Sequence, residues 1–234
     1  MRSGVYWIGG LATRREDGYS RAMLKTGLVA VFSALLMVAA AKEKLSVKDV
    51  DSVLTRYREA GAFKAKVRKT VAQEVLGTET TGVGDFFFSK GKLRLEMHEP
   101  ENTTLVYDGK IVWLESRIDK NTVEVTKIRS RELKKNDSLL AALFDRKDIL
   151  QSFKLNGAKT TDGKNVFSFK PRDSKKTEIR VLEIALMGKE LQRITYMDDR
   201  ENRVSFEFEN LNRESIPADR FAYSPPKGAN ITEM

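Results

Sequence analysis

Few residues in this chain could carry out chemistry on a substrate. The one histidine, His98, stands between Met97 and Glu99. A general base or metal ligand needs partners that orient it, and the sequence has no second histidine and no cysteine to serve. Gly77 and Gly82 have phosphate-loop spacing, but Val83-Gly84 follows where a lysine and a hydroxyl would be required. Gly163-Lys164-Asn165 lacks both the upstream glycine and the hydroxyl. Asp198-Asp199 reads better as a solvated turn than as a cation site, and the serines have no histidine to activate them. The expectation is no catalytic residue, no metal and no cofactor. The absence of cysteine also excludes disulfides, zinc–thiolate sites and lipid attachment to an N-terminal cysteine.

What remains is apolar. Phe86-Phe87-Phe88 places three aromatics in a row. Successive strand residues point to opposite faces, so both faces of that strand must receive an aromatic ring. Core packing on one side with a helix on the other explains the run as well as a sheet curved around a ligand groove does. Basic residues alternate with aromatics around Phe86–Arg94, a pattern seen in single-strand binders. An exported protein rarely meets nucleic acid, so no nucleic-acid partner is expected.

Export is read from the N-terminus. Lys25 precedes an apolar run from Leu28 to Val38, which ends in Ala39-Ala40-Ala41. This is the layout of a signal peptide over 23–41, with Lys42 as the first mature residue. Leu28 to Ala41 is short of the ~20 residues that a membrane anchor needs. If Met23 is the start, residues 1–22 are a start-site artefact, leaving 42–234 as one mature domain. Residues 1–41 hold five basic and two acidic residues, so the net charge of +9 falls to +6 in the mature chain (37 basic, 31 acidic). That surface suits acidic partners or anionic headgroups, or is simply a lysine-rich soluble face.

The elements follow from periodicity. Ser46 and Asp49 form a capping-box-like pair ahead of a stripe at Val47, Val50, Val53, Leu54 and Tyr57, and Gly61 ends that helix. Strands are predicted at Phe63–Val71, Thr78–Phe88, Lys92–Met97, Thr103–Tyr107, Ile111–Glu115 and Asn121–Ile128, with Asp108-Gly109 as a two-residue hairpin whose positions both favour positive φ. A second helix is predicted over Ser138–Phe144 with Asp137 as N-cap. Further strands fall at Ser152–Leu155, Asn165–Lys170, Glu178–Met187, Leu191–Met197, Arg203–Leu211 and Phe221–Tyr223, punctuated by Gly157, Asp162-Gly163, Gly188 and Asp198-Asp199. Short turns between successive strands make this a mainly β, α+β chain with an antiparallel meander of about eleven strands and two or three helices.

Gly84-Asp85-Phe86-Phe87-Phe88-Ser89-Lys90, Leu93-Arg94-Leu95-Glu96, Pro100, Leu105-Val106-x-Asp108-Gly109-Lys110 and Trp113 together resemble the LolA family of periplasmic lipoprotein carriers. The tail Phe221-x-Tyr223-x-Pro225-Pro226-x-Gly228-Ala229 resembles that family's ending, and the resemblance covers residues 45–231. It implies an incomplete antiparallel β-barrel (a half-barrel) covered by short helices over an apolar cavity. It also implies a ligand face built from Phe86, Phe88, Leu93, Leu95, Met97, Leu105 and Trp113, met by a lid carrying Leu139, Leu140, Leu143 and Phe144. The family's lid is held by an arginine before a proline; here Lys90-Gly91 stands there, so lid control falls to Lys90, with Lys92 as competitor. Lysine lacks arginine's planar fork. The implied partners are acylated lipoproteins or lipid, an inner-membrane ABC transporter as donor and an outer-membrane acceptor. The implied agent is a soluble periplasmic monomer that acts as a lipid-binding chaperone and not as an enzyme. Two other readings stay open: a carrier of another envelope lipid, and a structural or sensor envelope protein whose apolar residues only fill a core.

Overall fold

The computed structural model describes residues 45–129, 139–145 and 149–234. The leader expected over 1–41, Lys42, and the cap at Asp137 with Ser138 lie outside the described residues. Helix α1 spans Val47–Glu59 and buries Val50, Val53, Leu54 and Tyr57 as one stripe. Its first turn is closed by Ser46, whose backbone N–H donates to Asp49 Oδ2 at 2.7 Å. Ala60 is its C-cap, and Gly61 follows at φ +89°, the left-handed region that a side chain resists.

Among the described residues twelve strands make one sheet: β1 Ala62–Gln73, β2 Thr78–Ser89, β3 Lys92–Met97, β4 Thr103–Tyr107, β5 Ile111–Arg117, β6 Val123–Arg129, β7 Phe153–Thr161, β8 Lys164–Pro171, β9 Ile179–Met187, β10 Glu190–Asp198, β11 Asn202–Arg213 and β12 Asn230–Glu233. Their spatial order is β12-β6-β5-β4-β3-β2-β1-β11-β10-β9-β8-β7. Two meanders, β1–β6 and β7–β11, are joined where β1 pairs with β11. The edges do not close on each other, so the barrel is incomplete, as expected. The chain between β6 and β7 carries helix α2, Leu139–Asp145, and a 3-10 turn at Ile149–Ser152.

Registers divide the sheet into an inner and an outer face. Phe63 stands opposite Phe88, Ala65 opposite Phe86 and Val67 opposite Gly84. Phe86 and Phe88 stand opposite Leu95 and Leu93, which face Leu105 and Tyr107 in turn. Across the other meander Val67, Lys69 and Val71 face Phe208, Phe206 and Val204. This inner face packs against α1 and α2 in one apolar cluster.

Three expectations are corrected. Phe221 lies in a 3-10 turn, Ala218–Phe221, not in a strand, while the twelfth strand is β12, parallel to β6. Gly157 does not end a strand but lies inside β7, where the register with β8 shifts. The β4–β5 connection spans three residues, and Asp108 keeps an ordinary φ. Its Oδ1 accepts the amides of Lys110 and Ile111 at 2.8 Å each, and only Gly109 (+96°) is left-handed. The two-residue hairpin with two positive φ values is Lys90-Gly91 (47° and 76°), between the paired residues Ser89 and Lys92.

Candidate functional site

The inner face is closed by α2. Phe144 sits among five rings, with centroids 5.3 Å from Phe86, 5.5 Å from Phe88, 5.7 Å from Phe63, 6.4 Å from Phe208 and 6.5 Å from Tyr57. Tilted and edge-on pairs at such spacings add to simple area burial. Leu139, Leu140 and Leu143 are buried with it, as are Leu93, Leu95, Met97 and Leu105 on the sheet. Ten of the eleven residues expected to form a ligand face and its lid therefore meet on one face. Among the described residues, the side chains of α2 lie against this apolar face, and a cavity of about 110 Å³ lies beside Leu140. This is well below the ~300–1,000 Å³ of an ordinary small-molecule pocket.

Seven residues of helix α2 are described. Its apolar side chains are buried against the sheet, and such packing, more than helix propensity, is what holds a helix in a protein. Helix α1 supplies a polar fastening that the sequence reading missed: Arg58 Nη2 donates to the Leu143 backbone carbonyl at 3.3 Å. The preceding residue, Tyr57, donates to Glu190 and accepts from the Leu191 amide, tying α1 to the β9–β10 hairpin. The expected lid residue, Lys90, is exposed in the β2–β3 turn, where its amide donates to the Gly61 carbonyl at 3.2 Å. Lys92 lies on the outer face, opposite in parity to Leu93. No sequence spacing could have flagged Arg58, because its partner lies 85 residues away.

Trp113 departs from the expected ligand set. It shares the outer face with Val106, its partner across β4–β5, and lies 5.4 Å from the Tyr223 ring. The C-terminal segment crosses this outer face as a strap. Arg220 stacks over Phe87 at 4.3 Å and pairs with Glu96, which also accepts from Arg94. Phe221 is buried, Tyr223 donates to Glu115 Oε2 at 2.8 Å, and Lys127 pairs with Glu233 on β12. The aromatic run is thus resolved: Phe86 and Phe88 face inward, while Phe87 is covered on the outer face by Arg220 of the 3-10 turn Ala218–Phe221.

Burial and the neighbouring Glu115 push the Tyr223 hydroxyl above its ordinary value near 10, and burial with Glu190 does the same for Tyr57. A group whose folded pKa is raised contributes stability in full below its unfolded value and loses it as pH rises through the folded one. Stability is therefore expected to fall steeply above about pH 10. In Tyr223→Phe the alkaline slope should be shallower, which urea midpoints measured across that range would reveal. Equal slopes would show that the strap's hydroxyl is not held neutral.

Among the described residues no group of three or more acidic or histidine side chains is placed to hold a metal, and no helix is long and apolar enough to cross a membrane. His98 Nε2 lies 3.1 Å from Asp85 Oδ2, with Lys66 on the other carboxylate oxygen. His98 thus stands half exposed at the surface beside the Lys66–Asp85 ion pair.

A family model described as "Outer membrane lipoprotein carrier protein LolA" matches residues 58–224. The "Outer-membrane lipoprotein carrier protein" of Bordetella pertussis is 28% identical over 211 residues, covering 89% of this chain and 96% of that protein. The protein of the same description from Ralstonia nicotianae is 28% identical over 156 residues, covering 66% of this chain and 70% of its own. Among solved structures, an uncharacterized conserved protein from Thermus thermophilus superposes with a TM-score of 0.48 at 12% identity, covering 81% of this chain and all of that one.

Proposed function

This chain belongs to the LolA family of outer membrane lipoprotein carrier proteins, and on that premise we propose that it carries acylated lipoproteins across the periplasm in the space that α2 now fills. The observation that carries the reading is the replaceable plug. Helix α2 lays Leu139, Leu140, Leu143 and Phe144 against an apolar sheet face, and an acyl chain can take the place of those side chains. Taking one long acyl chain from a bilayer costs on the order of 10 kcal/mol, at ~0.8 kcal/mol per methylene. The apolar face can return most of that, but undocking α2 subtracts from the gain. The grip is then moderate, which suits a protein that must also release its load.

In this reading the signal peptide is cleaved after Ala41, and the carrier works as a soluble monomer. An inner-membrane ABC transporter would load it, and an outer-membrane acceptor would unload it. The chain's own residues provide a groove, a lid and a latch, so the driving force for extraction must come from the donor. Phe86, Phe88, Leu93, Leu95, Met97 and Leu105 would contact the acyl chains. Purification of the native protein followed by mass spectrometry tests this: lipoproteins should co-purify. Free lipid alone would favour carriage of another envelope lipid, and a protein that is empty and takes up no added lipid would remove the proposal.

The latch can be tested apart from the cargo. Arg58→Leu removes the bond to the Leu143 carbonyl, and the rate of exchange of a fluorescent fatty acid is expected to change by about fivefold, the effect of ~1 kcal/mol. Lys90→Leu should change it less. If Lys90→Leu has the larger effect and Arg58→Leu none, the latch lies in the β2–β3 turn after all.

A further inference from the structure

The inner face is apolar over most of its length but polar toward one end. Lys69 has the same parity on β1 as Phe63, Ala65 and Val67, opposite Gly82 on β2, and so points inward. Its Nζ lies 2.6 Å from Glu101 Oε1, which also accepts from the Thr103 hydroxyl at 2.8 Å. The two charged side chains are only 22% and 25% exposed. They open on the 110 Å³ cavity, whose wall includes Leu95, Leu105, Ser116 and the lid residue Leu140. Gly82 keeps β2 low here, since a Cβ would meet Met97 Cε at 3.3 Å and Glu101 Oε2 at 3.5 Å.

An inward ion pair gives up hydration that its Coulomb attraction recovers only in part, and apolar side chains of similar size would often be as stable. Stability therefore does not account for a lysine on the apolar parity of β1. Undocking α2 removes Leu140 and leaves the pair at the rim of an apolar trough. Resting on the carrier reading above, we infer that Lys69, Glu101 and Thr103 form the subsite for the polar end of the acylated cargo, its ester and amide groups. The Lys69 ammonium donates to ester carbonyls, and the Glu101 carboxylate accepts amide N–H groups. The acyl chains then run along β1 and β2 toward Phe86 and Phe88. This subsite fixes the orientation of the cargo and separates acylated peptide from bare hydrocarbon.

Competition between a synthetic dipalmitoylated hexapeptide and a fluorescent hexadecyl probe lacking ester and amide groups tests the subsite. The native protein is expected to prefer the peptide. Lys69→Met with Glu101→Leu removes both charges together and strands neither, and it should lower the ratio of the two affinities about tenfold, as loss of a charge-assisted hydrogen bond does. An unchanged ratio overturns the subsite. A second measurement needs no variant. With a nitroxide beside the acylated residue of the bound peptide, the amide resonances of Thr103 and Ser116 should broaden more than those of Gly91 and Gly109 at the opposite strand ends. The reverse pattern overturns the subsite and leaves carriage standing, whereas a native protein that binds neither ligand removes both.

Discussion

Replacing Phe144 by alanine is expected to tighten the binding of a fluorescent fatty acid by about tenfold or more, while lowering the midpoint of thermal unfolding. Phe144 is the centre of the plug, within 6.5 Å of five aromatic centroids. Truncating a buried phenylalanine costs ~3–5 kcal/mol in a fixed core. Here most of that cost falls on the docked position of α2 alone. A ligand that must undock the lid meets a smaller opposing free energy, so its apparent affinity rises as the closed state becomes less populated. Phe86→Ala is the contrast. Phe86 belongs to β2 and faces whichever group occupies the trough, so its loss should weaken both the closed state and the ligand-bound one. Titration of both variants decides the matter: if Phe144→Ala binds the probe no better than the native chain, α2 is a fixed part of the core.

Gly84→Ala should be the most damaging one-carbon addition in the sheet. Gly84 stands opposite Met97, and a Cβ there would lie 2.2 Å from the Glu96 carbonyl oxygen and 2.9 Å from Met97 Sδ. The methionine can move, but the carbonyl belongs to the β3 backbone and cannot yield without disturbing the ladder. The cost is expected at or above the top of the ~1–3 kcal/mol range for overpacking, which lowers the urea midpoint by about 1 M or more. Gly157→Ala is the control, because a Cβ at Gly157 meets nothing within 4 Å. Its midpoint should stay close to that of the native chain, and equal losses in the two variants would show that side-chain size at Gly84 is not the cause.

The two substitutions mark where sequence reading succeeds and where it stops. Strand β3 begins and ends where alternation places it, because a half-buried strand writes its period into neighbouring residues. Trp113 shows the limit: in Ile111-Val112-Trp113-Leu114 every position is apolar, so parity cannot be read locally. The Tyr223 ring that covers Trp113 comes from the far end of the chain. Strand β12 was missed because it is exposed throughout and carries no alternation, being held by backbone pairing with β6. Lys69 had a signal that went unread. It interrupts the apolar parity of Phe63, Ala65, Val67 and Val71, and a lysine on that parity must find a partner or a purpose.

By itself the sequence determined strands β1 to β11 and most of their turns, the apolar inner stripe and the resemblance to a carrier family, because each of these is written within a few residues. Tertiary structure alone decided that β1 pairs with β11, that Phe87 and Trp113 lie under a C-terminal strap, that Arg58 bonds to α2, and that Phe144 packs against Phe63, Phe86 and Phe88. Those are pairings between segments tens of residues apart or more. Their outcome depends on which apolar surfaces can cover one another once the sheet is formed, a sum over the whole chain that no local period records.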